Sequence, residues 1–156
     1  MGHYAKGQVC LAGHEITGDI SMGGAVPFCA ECGNKTITCC PSCKGSIRGY
    51  YVGDFASSLI WEVPAHCIHC GTPFPWTAAK LNAVTELAEA IEELTNHERQ
   101  QLAELMPHLI TESARTQPAG FKVAAILTRL KGPARETFRS LLNDIAVDAG
   151  RAALGL

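Results

Sequence analysis

The residues with most chemistry to offer are cysteines at short, repeated spacings. Between Phe28 and Gly49 the chain reads FCAECGNKTITCCPSCKGSIRG, with two Cys-x2-Cys pairs, Cys29/Cys32 and Cys40/Cys43. Each pair lies beside a glycine, Gly33 directly after the first and Gly45 two residues after the second. Two thiolates three positions apart on a tight turn can face one metal ion about 2.3 Å away. A tetrahedral site needs four ligands, so each pair requires a partner. Cys10 and His14 stand before these pairs, Cys67 and Cys70 after them. The candidate ligands for two zinc ions are therefore Cys10, His14, Cys29, Cys32, Cys40, Cys43, Cys67 and Cys70.

Three pairings use these residues. The sequential one closes a site with Cys10, His14, Cys29 and Cys32 and another with Cys40, Cys43, Cys67 and Cys70. An interleaved cross-brace joins first pair with third and second with fourth, and a nested one joins the two inner pairs. The sequential pairing is favoured, because each hairpin then closes its own site at little loop entropy. Cys39 is left over; Cys40 gives the two-residue gap Cys-Pro-Ser-Cys, so Cys39 is read as a buried or free thiol. His66 and His69 flank Cys67 and are read as surface residues that could substitute as ligands. His3, His97 and His108 have no partner in sequence.

Three Cys-x2-Cys pairs outside a βαβ frame do not suit thioredoxin-type redox chemistry. Four good ligands per ion leave no open position, and the chain has no His-Glu-x-x-His, no deaminase signature and no phosphate loop. The expectation is structural metal and no enzymatic activity. Structural zinc contributes on the order of 10–16 kcal/mol of apparent binding energy to folding.

The elements that must hold these ligands follow from the flanking sequence. Residues 3–9 read as a strand leading into Cys10. EITGDISMGGAVPF reads as a hairpin whose returning strand ends at Phe28, and Thr36-Ile37-Thr38 as a connector to the second unit. SIRGYYVG and ASSLIWEV are β-branched and aromatic, which suits strands joined near Gly53-Asp54. From Thr77, a plausible N-cap, the period changes to that of helix, with Leu81, Val84, Leu87, Ala88, Ile91 and Leu94 on one stripe. Thr95-Asn96-His97-Glu98 has the capping-box pattern and starts a second helix, which Pro107 should split. A third helix has Pro118 in its first turn, with Phe121, Ala124, Ala125 and Leu127 or Leu130 buried and Gly132 as its stop. Pro133 opens a fourth with a stripe of Phe138, Leu141, Leu142, Ile145 and Ala149. The aromatics Tyr50, Tyr51, Phe55, Trp61, Phe74 and Trp76 are read as a small core more than as a base-stacking face, with Phe74-Pro75-Trp76 joining the helices to the ribbons. The fold class is thus α+β: tandem zinc ribbons over residues 1–76, then an amphipathic helical domain of about four helices over 77–156.

Charge narrows the partners. Residues 1–76 carry four Lys/Arg against five Asp/Glu, and residues 77–156 nine against ten. Neither part is basic, which counts against a phosphate-driven nucleic-acid binder. A nucleic-acid-binding regulator using Lys35, Lys44 and Arg48 stands as the alternative to a protein-interaction or adaptor module. That module would bind a protein partner or form a homo-oligomer through the helices. No apolar run approaches the roughly 20 residues of a membrane span, and no signal-peptide core is seen, so a cytoplasmic protein is expected.

QVCLAGHEIT, FCAECGNKTITCCPSCKGSIRG and VPAHCIHCGTPFPWT together resemble a group of small bacterial proteins filed as domain of unknown function 2321. The resemblance covers most of the chain, strongly to residue 77 and loosely over the helices. It implies tandem zinc-binding pairs followed by helices in a bacterial cytoplasmic protein. It implies no activity. Cys39 departs from the pattern, in which a small residue other than cysteine is expected beside that knuckle.

Overall fold

The computed structural model describes residues 2–53, 57–58 and 60–156; of Ser57 and Ser58 only the backbone is described. Asp54 and Phe55, singled out above as a turn residue and an aromatic, lie outside the described residues. The chain divides into two units, residues 1–79 and 80–156. The architecture is α+β, with antiparallel strands and cysteine clusters first and helices after.

The first unit contains two three-stranded sheets. One has the order β3(Glu15–Thr17), β2(Gln8–Cys10), β4(Thr36–Ile37); the other has β1(His3–Lys6), β5(Arg48–Val52), β6(Ser57–Ser58). This corrects the two-hairpin expectation in three places. The stretch 3–9 is not one strand: it splits at Gly7, and its halves serve different sheets. β1 pairs antiparallel with β5, setting Tyr4 opposite Tyr51 and Lys6 opposite Arg48, so the N-terminal strand completes the second ribbon's sheet. The segment Thr36-Ile37, expected as a connector, is the strand β4 that pairs with Val9 and Cys10. The stretch before Phe28 forms a 3-10 turn, Ile20–Met22, capped by the Asp19 carboxylate, and Phe28 itself makes only an isolated bridge to Lys35.

Backbone crowding explains the split. Gly7 N–H donates to the Ile47 carbonyl and Tyr50 N–H to the Gly18 carbonyl (2.9 and 2.8 Å). A Cβ on Gly49 would lie 1.9 Å from the Gly18 oxygen. Only glycine lets the two sheets approach this closely. The core of this unit is small: Val9, Cys40, Ile47, Cys67, Phe74 and Trp76. Phe74 and Trp76 stack at 4.7 Å, and the Trp76 indole N–H donates to the Pro64 carbonyl.

The five helices among the described residues are α1(Pro75–Ala90), α2(Asn96–Leu105), α3(Thr116–Leu127), α4(Gly132–Ile145) and α5(Asp148–Leu154). α1 begins two residues before Thr77, because Pro75 suits a first helical position and the Phe74 carbonyl accepts from Ala78 N–H (3.0 Å). Thr77 is not the cap; its hydroxyl donates to the Ala65 carbonyl (2.8 Å). The capping box at Thr95 and Glu98 forms, and Pro107 ends α2 in a 3-10 turn, Met106–His108. Arg99 reaches back to the Ala88 and Ile91 carbonyls and satisfies the end of α1.

Three further helical expectations are corrected. α3 buries Ala119, Val123, Ile126 and Leu127, while Phe121 is 75% exposed. The helix carries apolar residues around most of its circumference, so its stripe is ambiguous. Its rotation is set where Gly120 meets α5; a Cβ there would stand 2.4 Å from that of Ala153. The fourth helix does not run on to Ala149. It ends at Ile145, Ala146 is extended, and Val147 N–H donates to the Leu109 carbonyl (2.9 Å). The Arg151 guanidinium donates to the Asn143 and Ala146 carbonyls (3.1 and 2.7 Å), which stabilises the end of α4 from the fifth helix. Gly132, expected to stop the third helix, instead opens α4 at a φ of +54°.

Candidate metal centres

Three of the four ligand pairs sit on one local structure. In each, the first cysteine's N–H donates to the carbonyl five residues on, and the N–H four residues on returns to the cysteine carbonyl. The first knuckle has Cys29 to Asn34 (2.8 Å) and Gly33 to Cys29 (2.9 Å). Cys40 to Gly45 (2.8 Å) and Lys44 to Cys40 (2.9 Å) make the second, Cys67 to Thr72 (2.9 Å) and Gly71 to Cys67 (2.8 Å) the third. The fifth residue of each is left-handed: Gly33 at +71°, Lys44 at +64°, Gly71 at +72°. Glycine takes that conformation freely, and Lys44 is the one residue with a side chain there among the described residues. The remaining pair uses a related turn, in which Cys10 N–H donates to the His14 carbonyl (3.0 Å).

These turns bring the ligand atoms into two groups. Cys10, His14, Cys29 and Cys32 form one, and Cys40, Cys43, Cys67 and Cys70 the other; within each, the ligand atoms lie within 4.8 Å of one another. This is the sequential pairing, and the two groups could each hold a metal ion. In the first, the Cys10 sulfur lies 3.5 Å from His14 Nδ1 and 3.8 Å from the Cys32 sulfur, and Cys29 lies 3.6 Å from His14 Nδ1. In the second, Cys40–Cys70 is 3.8 Å and Cys43–Cys67 3.6 Å. The edges of a zinc tetrahedron with Zn–S near 2.3 Å and Zn–N near 2.0 Å are about 3.8 Å for S···S and about 3.5 Å for S···N. Disulfide sulfurs would be about 2.05 Å apart, and every cysteine is a free thiol.

Surrounding donors suit thiolates. His14 N–H donates to Cys10 Sγ (3.2 Å), Gly45 N–H to Cys43 Sγ and His69 N–H to Cys67 Sγ (both 3.4 Å). Asn34 backbone and side-chain N–H groups hold the Cys32 thiol down to about 6. The Thr72 hydroxyl and N–H do the same for Cys70, also to about 6. At Cys43 the Gly45 N–H pulls downward but is outweighed by desolvation and by the thiols of Cys70, Cys67 and Cys40, which push it up to about 12. Thiols this close cannot all ionise alone; a divalent cation removes the conflict and releases the protons. His14, with its Nδ1 toward the sulfurs, turns its Nε2 toward the Glu31 carboxylate at 3.5 Å. A carboxylate behind a ligating imidazole fixes its tautomer. Glu31 was not among the residues singled out by spacing, although a carboxylate between two cysteines of a knuckle is a readable signal.

The other candidates lie outside both groups. Cys39 is half-buried with its sulfur 3.7 Å from the Thr38 hydroxyl, which with Lys6 and Lys44 lowers its pKa. The His69 ring covers Gly45, where a Cβ would stand 2.3 Å from it. His66 makes a bridge with Pro73. Of the aromatics, Phe74 and Trp76 are core, whereas Tyr51 is 42% exposed.

The geometry gives the first unit two Cys/His groups, each of which could hold a metal ion; the helical unit is separate. Residues 3–154 match the family described as an uncharacterised protein conserved in bacteria, domain of unknown function 2321, and the chain belongs to that family. No curated protein and no solved structure matches it at a significant level. No helix among the described residues is long and apolar enough to cross a membrane.

Proposed function

We propose that this chain is a non-enzymatic, cytoplasmic protein-interaction module in which two zinc ions are structural. The observation that carries this reading is the pair of complete ligand sets. Each group offers four candidate protein ligands within 4.8 Å of one another, with S···S and S···N separations of 3.5 to 3.8 Å among them, so four protein ligands would leave no position for water or substrate. Cys40 and Cys67 are also members of the first unit's small apolar core, as expected where metal takes the place of a larger core. The separate helical unit offers the surface for a protein partner. Native mass spectrometry of protein purified without chelators tests the metal reading: two zinc ions and nothing else support it. A single zinc, or a metal-bound water exchanging with solvent, overturns the closed-site assignment.

One observation favours a second reading, nucleic-acid binding. Tyr4 and Tyr51 are exposed, meet edge to face at 5.3 Å, and carry the Arg48 guanidinium 4.9 Å over the Tyr4 ring. Exposed aromatics beside a cation suit stacked bases. The absence of a basic excess weighs against it. Anisotropy titrations with single- and double-stranded DNA and RNA at low salt decide the matter; no binding removes this reading.

A further inference from the structure

We propose that the outer face of α3 is a docking groove for an amphipathic helix of a protein partner, one that carries carboxylates beside its apolar stripe. The inference rests on the interaction reading above and names its surface. α3 turns Ala119, Val123 and Leu127 into the core, and the opposite face presents Phe121 to solvent. A trough lies on either side of that ring. Toward α5 a groove of about 650 Å³ is floored by Pro118, Ala149, Ala152 and Ala153. Toward the start of α2 a second, of about 420 Å³, reaches Gln101, Ala125 and Ile126. The first floor is preformed, because the Gly120–Ala153 approach locks α5 against α3 with no room to shift inward. Pro118 to Leu127 spans about 14 Å of helix, matching about two and a half turns of a docked helix whose i, i+3/i+4 and i+7 residues straddle a central ridge.

Charge selects the occupant. Lys122 lines both grooves and Arg129 the second, with His97 beside it, while Arg115 and His108 line a third hollow of about 220 Å³ that shares Pro118 and Lys122 with the first. Two carboxylates lie among them. That of Glu98 is buried, capping α2 and pairing with Arg129. Glu104 accepts from Gln100 (3.0 Å). Among the described residues Lys122 makes no ion pair, and the Arg115 guanidinium meets the His108 ring at 3.5 Å and no carboxylate. Lys122, shared by both grooves, is the cation there that no carboxylate among the described residues pairs with, although residues 77–156 carry one more acid than base. An acidic, apolar helix is the complement. A second copy docked face to face about a two-fold axis at Phe121 would set Lys122 against its own equivalent, which disfavours it.

The test uses the full-length, metal-loaded protein and three fluorescent helical peptides of about 18 residues. They share one leucine stripe and differ only in flanking Glu, Gln or Lys. The Glu peptide is expected to bind, and the Lys peptide at least about tenfold more weakly. Phe121→Ala is expected to weaken the Glu peptide about tenfold or more, and Lys122→Glu several-fold. Both positions are at the surface groove, and circular dichroism checks that each variant stays folded. Equal binding of the Lys peptide, unchanged binding by Phe121→Ala, or no binding of any peptide overturns the proposal. So does a concentration-dependent dimer in sedimentation that Phe121→Ala disperses, which would give the groove to a second copy. A protein partner held equally by wild type and Phe121→Ala overturns the groove while leaving the interaction reading in place; a full chain that holds no partner overturns both.

Discussion

Chelation should unfold one unit and spare the other. Both tryptophans, Trp61 and Trp76, belong to residues 1–79, whereas the helices other than the first turn of α1 belong to residues 80–156. Trp emission therefore reports the metal-bearing unit, and ellipticity at 222 nm reports mainly the helical one. On the zinc reading each centre contributes about 10–16 kcal/mol of apparent binding energy to folding. A whole domain's net stability is only about 5–15 kcal/mol. Losing even one centre thus exceeds what the six-member core of Val9, Cys40, Ile47, Cys67, Phe74 and Trp76 can hold, two of whose members are themselves ligands. The helical unit has its own core, including Val84, Leu102, Leu109, Val123, Phe138 and Leu142, and no candidate metal group. Titrating a strong chelator under reducing conditions should shift Trp emission to the red while the 222 nm signal stays largely intact. Zinc should restore the emission. A parallel fall of both signals at one chelator concentration, or an emission maximum that does not move, refutes the reasoning.

Two further outcomes follow from single residues. Lys44→Gly relieves a left-handed side chain worth about 1–2 kcal/mol, against about 0.5–1 kcal/mol of extra glycine entropy, so the metal-loaded first unit should gain about 0.5–1 kcal/mol. Melting followed by Trp emission should rise by about 2–8 °C; a fall would mean that the Lys44 bond to the Pro41 carbonyl outweighs the strain. Glu98→Gln should cost the helical unit about 1–2 kcal/mol near neutral pH, because the carboxylate accepts from Thr95 and pairs with Arg129. The Thr95 backbone and hydroxyl donors, and then Arg129, lower the Glu98 pKa from 4.5, so its ionised form is favoured by folding. That contribution is complete above pH 4.5 and is lost as pH falls through the lower folded value. Melts at 222 nm across pH should show the gap between wild type and variant closing in acid; a gap independent of pH contradicts the assignment.

The chain shows how differently local and distant physics are written in a sequence. The pairs Cys10/His14, Cys29/Cys32, Cys40/Cys43 and Cys67/Cys70 were legible because each is a turn of five or six residues, while their sequential grouping was the favoured one of three pairings that the spacing leaves open. Its hydrogen bonds and left-handed position depend on the turn alone, and closing successive turns on each other costs the least chain entropy. The capping box at Thr95 and the break at Pro107 were legible for the same reason: each is decided within four residues.

What lay outside the sequence pattern depends on partners far along the chain. The pairing of β1 with β5 joins Tyr4 to Tyr51, and nothing in HYAKGQV says that Gly7 divides two sheets until Gly49 and Gly18 close on it. Thr36-Ile37 is too short to read as a strand and becomes one only because Val9 and Cys10 offer an edge. Leu127 and Leu130 are buried as expected, but Phe121 and Ala125 were misassigned to the buried face of α3 because apolar residues nearly encircle it, and the choice fell to the Gly120–Ala153 approach. By itself the sequence determined the candidate ligand pairs and their turns, which are local covalent spacing. Tertiary packing alone decided which strand belongs to which sheet and that Phe121 faces solvent, since both are settled by backbone approach between segments remote in the chain.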